Sequence, residues 1–334
     1  MPSAIENGVK SNGHSAAAKP YPPGVHVPSL TFFDSSPSQE IDWDTQRKHI
    51  SFIVRSGVHG IVLAGTNGEA FPLSRTEKEE LVRLTRKIAT EEGRPELPIT
   101  LGTTGTSTRD VLADCTAAKE AGADFVLVLV ASFFHFALNK DAICEYFEEV
   151  ADHSPLPVLI YNFPSVYVLT QAAGLDVTSP MLDRLAKYRN ILTCGSIAKV
   201  TRVAASHKPQ QFSALAGQSD WLIPALSVGG TGCITGVGNL YPRACVAIYD
   251  LYQAGRFEEA QKLQYTLAVC ELGFGEGGIN GTKWVVAELL GYPAEARDCR
   301  RPYPKFVSKE RRQWMLDQVR VLEAEETRLK NSSS

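Results

Sequence analysis

The residues able to do chemistry gather at a few glycine-marked junctions. Gly65-Thr66-Asn67-Gly68 offers successive backbone N–H groups, a hydroxyl and an amide at a turn into a helix. That combination suits a small anion, a carboxylate or a phosphate. The same residues also fit a tight turn in which Thr66 or Asn67 caps the following helix. No Gly-Lys-Ser/Thr follows and no GxGxxG occurs, so this is neither a mononucleotide loop nor a dinucleotide fingerprint. Tyr161 ends the apolar run Val158-Leu159-Ile160, where a phenol can relay a proton in a partly dry cavity. It fits a core tyrosine with a satisfied hydroxyl equally well. Phe163-Pro164 after it forces an extended exit from the run. Three further junctions close the set: Gly102-Thr103-Thr104-Gly105, Gly217-Gln218-Ser219-Asp220 and Cys233-Ile234-Thr235-Gly236. Glu69 reads as an anchor of the loop rather than a general base. His135, inside Phe133-Phe134-His135-Phe136, suits an aromatic packing cluster better than a cavity mouth. The histidines are scattered and no HxxxH, HExxH or CxxC occurs, which argues against a metal site.

Each junction follows a short apolar run rich in β-branched residues. Such runs lie at 25–32, 60–65, 97–102, 124–130, 157–162, 190–194, 211–217 and 230–236. Amphipathic stretches alternate with them, at 41–56, 75–92, 108–121, 139–152, 179–188, 197–207, 219–228 and 240–254. Runs that are apolar on both faces suit a buried parallel sheet. Alternation of this length predicts one closed α/β barrel, a single (β/α)8 TIM barrel over residues 25–255, with its site at the strand-to-helix junctions. Residues 256–330 predict a C-terminal helical extension of three helices, at 256–272, 278–291 and 308–328. Residues 1–24, rich in Ser, Ala, Gly and Pro, predict a disordered N-terminal arm.

Composition narrows the function. Charged residues make up 21% and hydrophobic residues 44% of the 334, which fits a globular chain. Lys+Arg 34 against Asp+Glu 37 leaves a net charge of -3, without the basic excess of a nucleic-acid binder. No apolar run is long enough to span a bilayer. The N-terminal stretch lacks the apolar segment of a signal peptide. The 7 cysteines lack close pairing and fit a reducing compartment. The expectation is a soluble cytoplasmic protein with a small-molecule substrate and neither nucleic-acid nor membrane partners.

Together, GIVLAGTNGEAFPLSRTEKEELV, PVLIYNFP, ALAGQSD and GGTGCITGVGNLYPR, in this order and spacing, resemble the dihydrodipicolinate synthase/N-acetylneuraminate lyase superfamily. The likeness runs from about Pro23 to Tyr303. The Thr-Asn form of the loop and the stretch LTCGSIAKVTR are similar to a fungal branch of 2-keto-3-deoxy-sugar-acid and 4-hydroxy-2-oxoglutarate aldolases. The resemblance implies a homotetramer and class I aldolase chemistry on a 2-keto acid, without metal or cofactor. In that chemistry a strand-six lysine forms an imine with the ketone, an electron sink that lets the C3–C4 bond break or form. By resemblance Tyr161 is the proton relay, Thr66 and Asn67 hold the substrate carboxylate, and Gly217 and Ile234 complete the keto-acid pocket.

Two departures bear on activity. Phe133-Phe134 stands where the family carries a tyrosine pair, and phenylalanine passes no proton. More seriously, the branch reads approximately N-I-V-G-x-K-L-T-C-G across strand six, whereas this chain reads Asn190-Ile191-Leu192-Thr193-Cys194-Gly195. The imine-forming lysine is among the missing letters, and neither Lys199 nor Lys283 matches its position. A strand is only ~5–6 residues long, so such a loss threatens closure of the barrel. Tyr167-Val168-Leu169-Thr170-Gln171-Ala172 is an insertion of similar size upstream. The two length changes of opposite sign predict misassigned exon boundaries and a transcript that keeps the lysine. Three functions follow: a carbon–carbon lyase, a catalytically inactive keto-acid-binding homologue, or a condensing enzyme running the same chemistry in reverse.

Overall fold

The computed structural model describes residues 20–130, 135–162, 176–188 and 191–332. Eight parallel strands close into a barrel in sequence order. They are β1 (Gly24–Pro28), β2 (Gly60–Leu63), β3 (Ile99–Thr103), β4 (Phe125–Leu129), β5 (Val158–Asn162), β6 (Ile191–Cys194), β7 (Ala214–Ala216) and β8 (Gly232–Ile234). The strand period of two sorts their side chains. Val62, Phe125, Leu127, Leu159 and Leu215 meet inside the barrel. Their neighbours Ile61, Leu63, Val126, Val128, Val158 and Ile160 face outward into the layer packed with helices. This double-sided burial is why the runs lack polar alternation.

Six helices of that layer are α1 (Trp43–Arg55), α2 (Arg75–Glu91), α3 (Thr108–Ala121), α4 (Lys140–His153), α5 (Ser179–Leu185) and α6 (Ile197–Ser206). The short α7 (Leu222–Ser227) and then α8 (Pro242–Gln253) complete it. Side chains written into the sequence start several of them. Asp42, Ser107 and Asn139 accept the orphan N–H groups of Thr45, Asp110 and Ala142, and Ser74 with Glu77 forms a capping box at α2. The extension comprises α9 (Phe257–Leu289), α10 (Lys309–Val319) and α11 (Glu323–Ser332).

The structure differs from the sequence expectations in five places, one being the helix expected at 308–328, which the 3₁₀ turn Arg320–Leu322 divides into α10 and α11. Within the expected N-terminal arm, residues 20–24 are built into the barrel: Tyr21 is buried, and its hydroxyl bonds His26 Nδ1 at 3.2 Å and Thr100 Oγ1 at 3.1 Å. An aromatic ring there plugs the barrel interior, packing on Phe125 and Leu127, which the Pro- and Ala-rich context hides. The barrel also closes despite the short sixth strand, because Ile191–Cys194 pairs in register with Leu159–Asn162 on one side and, through Leu192–Cys194, with Ala214–Ala216 on the other. Four residues suffice to bridge two neighbours of similar length. The two helices expected at 256–272 and 278–291 form one element. Phe274 to Gly277 stay helical, and only Gly278 departs, with φ 59° and ψ -166°. Finally, β1 and β7 are shorter than the apolar runs that announce them, since those runs continue beyond the paired residues.

Candidate active site

All five residues singled out for substrate and proton handling line one cavity. Thr66, Asn67, Tyr161, Gly217 and Ile234 surround about 50 Å³ together with Pro28, Val62, Gly65, Leu127 and Gly236. The cavity lies at the C-terminal ends of β1, β2, β4, β5, β7 and β8, directly above the apolar barrel filling. Leu159 precedes Tyr161 by two positions, so the phenol continues the inward row of β5. A second chamber of about 210 Å³ shares Gly65, Thr66 and Tyr161 and is walled by Phe71, Leu129, Ile279 and Tyr303. Its last two walls come from the C-terminal extension.

Thr66 Oγ1 and Tyr161 OH share a hydrogen bond of 2.9 Å. Burial pushes the Tyr161 hydroxyl above the ordinary phenol range, and the bond to Thr66 partly offsets this. The phenol therefore stays neutral at physiological pH, able to accept one proton while passing on another. The turn that presents Thr66 is tightly built. Ala64 and Glu69, which flank it, adopt φ 49° and 54°, a region costly for residues with a Cβ. A Cβ on Gly68 would lie 2.9 Å from the Ser29 carbonyl oxygen and 3.0 Å from the Ala64 nitrogen. Across the cavity, a Cβ on Gly236 would approach Asn67 Nδ2 to 2.9 Å. Glycine at 236 thus makes room for the amide.

Buried polar side chains hold these loops from behind. Glu69 is an anchor: its Oε1 accepts from Lys283 Nζ at 2.6 Å and its Oε2 from the Arg300 N–H at 2.9 Å. Glu271 on α9 accepts from the Ser219 N–H at 2.9 Å and the Ser219 hydroxyl at 2.5 Å, and lies 3.3 Å from the Thr235 hydroxyl. It thereby ties the two loops that carry Gly217 and Ile234. Burial raises the Glu271 carboxyl above the usual range. Asn239 accepts from the Leu30 N–H at 3.0 Å and bonds His49 Nε2 at 2.9 Å, while its amide donates to Pro28 O and Gly236 O. Glu69 is the loop anchor that its junction suggests, whereas the supporting roles of Glu271, Asn239 and Lys283 do not stand out from the strand junctions. Their signal is a charged or amide residue inside an apolar stretch, as in Val269-Cys270-Glu271-Leu272 and Thr282-Lys283-Trp284-Val285. Such placement implies a buried partner.

No lysine lines either chamber among the described residues. Lys199, on α6, is paired with Asp176. Lys283 is enclosed beside Glu69 and is 0% exposed. Lys78 donates to Thr104 Oγ1 at 2.5 Å, and burial lowers its pKa to about 8. Among the described residues no group of His, Cys, Asp and Glu is placed to hold a metal ion, and no helix is long and apolar enough to cross a membrane. Phe133, Phe134, Phe163, Pro164, Asn190 and the stretch 167–172 lie outside the described residues, as does the side chain of His135.

Known proteins share this arrangement. A family model described as the dihydrodipicolinate synthetase family matches residues 22–320. A protein of Emericella nidulans named Probable 4-hydroxy-2-oxoglutarate aldolase, mitochondrial, is 39% identical over 285 residues, 84% of this chain and 90% of that protein. The L-threo-3-deoxy-hexylosonate aldolase of Aspergillus niger is 33% identical over 300 residues, 82% of this chain and 88% of its own. The crystal structure of a dihydrodipicolinate synthase family protein from Coccidioides immitis superposes with a TM-score of 0.81 at 35% identity, covering 93% of this chain and 99% of the other. A barrel with this strand order, a threonine–tyrosine pair at its mouth and a family match over residues 22–320 therefore lead to one assignment: the chain belongs to the dihydrodipicolinate synthase family.

Proposed function

We propose that the cavity binds a 2-keto acid and that the reaction it serves is cleavage or formation of a carbon–carbon bond in a 2-keto-3-deoxy or 4-hydroxy-2-keto acid. The observation that carries this is the 2.9 Å bond between Thr66 Oγ1 and Tyr161 OH in a cavity also lined by Asn67, Gly217 and Ile234. Thr66 and Asn67 take the substrate carboxylate through the turn's N–H groups, the hydroxyl and the amide. In the cleavage direction an amine condenses with the C2 ketone, releasing water. The protonated imine accepts the C3–C4 electron pair while the C4 hydroxyl loses its proton and becomes the aldehyde carbonyl. Tyr161 receives that proton, and Thr66 supplies the path onward. The enamine left at C3 is then reprotonated, and hydrolysis frees the shorter keto acid.

The amine must come from a lysine, and β6 as written, Ile191-Leu192-Thr193-Cys194, has none. That observation favours a second reading, a keto-acid-binding homologue without turnover. Borohydride reduction in the presence of pyruvate, followed by mass spectrometry, separates the two. A pyruvyl adduct on a lysine supports the lyase. Pyruvate-dependent thermal stabilisation with no adduct supports the silent binder, and neither effect overturns both. Sequencing the transcript across residues 160–200 tests whether the messenger restores the lysine; a message encoding this chain unchanged removes the exon-boundary explanation. The direction of reaction, including a condensing role, is set by assaying both cleavage and pyruvate–aldehyde addition. We further propose a homotetramer, checked by sedimentation equilibrium, and a cytoplasmic location. Two relatives carry "mitochondrial" in their names, so a fluorescent fusion co-localising with mitochondria would overturn the latter.

A further inference from the structure

Glu69 follows Asn67 by two residues and sits at φ 54°, a backbone state that is costly for a residue with a Cβ. What holds it comes from more than two hundred positions along the chain: Lys283 Nζ on one carboxylate oxygen and the Arg300 N–H on the other. Both oxygens are committed, so Glu69 is no free base although it borders the outer chamber. Lys283 reaches this place because α9 breaks at Gly278, where Ile279 turns to wall the same chamber. The ammonium is also stacked 4.1 Å from the centre of the Phe33 ring. An enclosed ion pair of this kind adds little stability over an apolar pair of equal volume, so stability alone does not account for it.

We propose that Lys283 is a positioning residue for the pocket: through Glu69 it fixes the turn that presents Thr66 and Asn67, without touching substrate. This rests on the reading of that turn as the carboxylate site. The full-length chain is compared with Lys283→Met, Glu69→Gln and the double variant E69Q/K283M. Three quantities are read: thermal midpoint, pyruvate affinity by calorimetry, and hydrogen exchange at the 65–70 amides. Lys283→Met leaves the carboxylate unpaired and lowers the midpoint. The double variant removes both charges and restores it to near that of the wild type. It keeps pyruvate affinity at least tenfold weaker and exchange at 65–70 at least tenfold faster. Recovery of affinity and exchange together with the midpoint overturns the proposal and leaves Lys283 a charge-balancing residue. Should the double variant not fold, Glu69→Gln decides: exchange at 65–70 unchanged from the wild type overturns the proposal, and faster exchange at an unchanged midpoint supports it. Wild-type protein that does not bind pyruvate defeats the carboxylate reading, while the exchange arm still decides the clamp.

Discussion

Thr66 Oγ1 and Tyr161 OH are joined by a 2.9 Å hydrogen bond at the wall of the cavity. Tyr161→Phe removes only the hydroxyl, so the cavity nearly keeps its shape and loses the proposed relay. If the protein turns over a 4-hydroxy-2-keto acid, kcat should fall by roughly 10²–10⁴-fold while substrate affinity changes little, as steady-state kinetics would show. An equal fall in affinity would instead make Tyr161 a binding residue. Asn67→Ala should do the opposite. It removes the amide proposed to hold the carboxylate and should weaken pyruvate binding about tenfold, roughly 1.4 kcal/mol, read by calorimetry. That these residues line one cavity follows from their places at strand ends, although each also fits a structural use, a capped turn for Thr66 and Asn67 and a core tyrosine for Tyr161. The Thr66–Tyr161 contact was not legible in the sequence, because it joins residues far apart along the chain.

Elements explain why those side chains stay put. α9 carries Glu271 before its break and Lys283 after it, and each reaches a different wall of the cavity. Replacing Glu271 by Leu strips the partner from the buried Ser219 N–H and leaves the Ser219 hydroxyl only Thr235 Oγ1. We expect a loss of about 2–4 kcal/mol in denaturant unfolding, and Glu271→Gln, which keeps one acceptor oxygen, should lose less. At the turn, Gly68→Ala forces a Cβ against two backbone atoms at about 3 Å. It should cost roughly 1–3 kcal/mol and weaken pyruvate binding with it; an alanine variant with unchanged affinity would show that the turn tolerates movement. The helical stretches at 75–92, 108–121 and 139–152 were legible from their amphipathic pattern, and Ser74, Ser107 and Asn139 cap them. The continuity of α9 was not, because Gly273, Gly275, Gly277 and Gly278 look like a linker. Packing of Gly273, Gly277 and Gly281 against α10 and the segment before it overrides their low helical preference.

For the molecule as a whole, two enclosed histidines link stability to pH. His26 Nε2–H donates to Pro22 O at 2.9 Å, and burial lowers its pKa to about 3. His49 bonds Asn239 and Tyr292, and burial lowers its pKa to about 4. Both lie below the ordinary value of 6.5, so between these limits the unfolded chain binds more protons than the folded one. Their contribution is complete above pH 6.5 and is lost as the pH falls toward 4, each unit of depression being worth about 1.4 kcal/mol. Unfolding free energies measured from pH 8 to 4 should be flat at first and then fall, with a shallower fall in His49→Gln. A level curve down to pH 4 would contradict the neutral burial of both rings.

The sequence by itself determined the barrel, its strand-to-helix alternation and the strand-to-helix junctions, because strand period and helix period are local properties that each segment carries alone. It also determined that strand six lacks a lysine, which is a matter of composition. Only the tertiary structure decided that a sixth strand of four residues still closes the ring, since closure depends on registry with β5 and β7 on either side. Likewise, only the fold brought Lys283 to Glu69 and Glu271 to Ser219. Buried charges must find partners, and which partner is near is set by how the C-terminal helices pack across the mouth of the barrel.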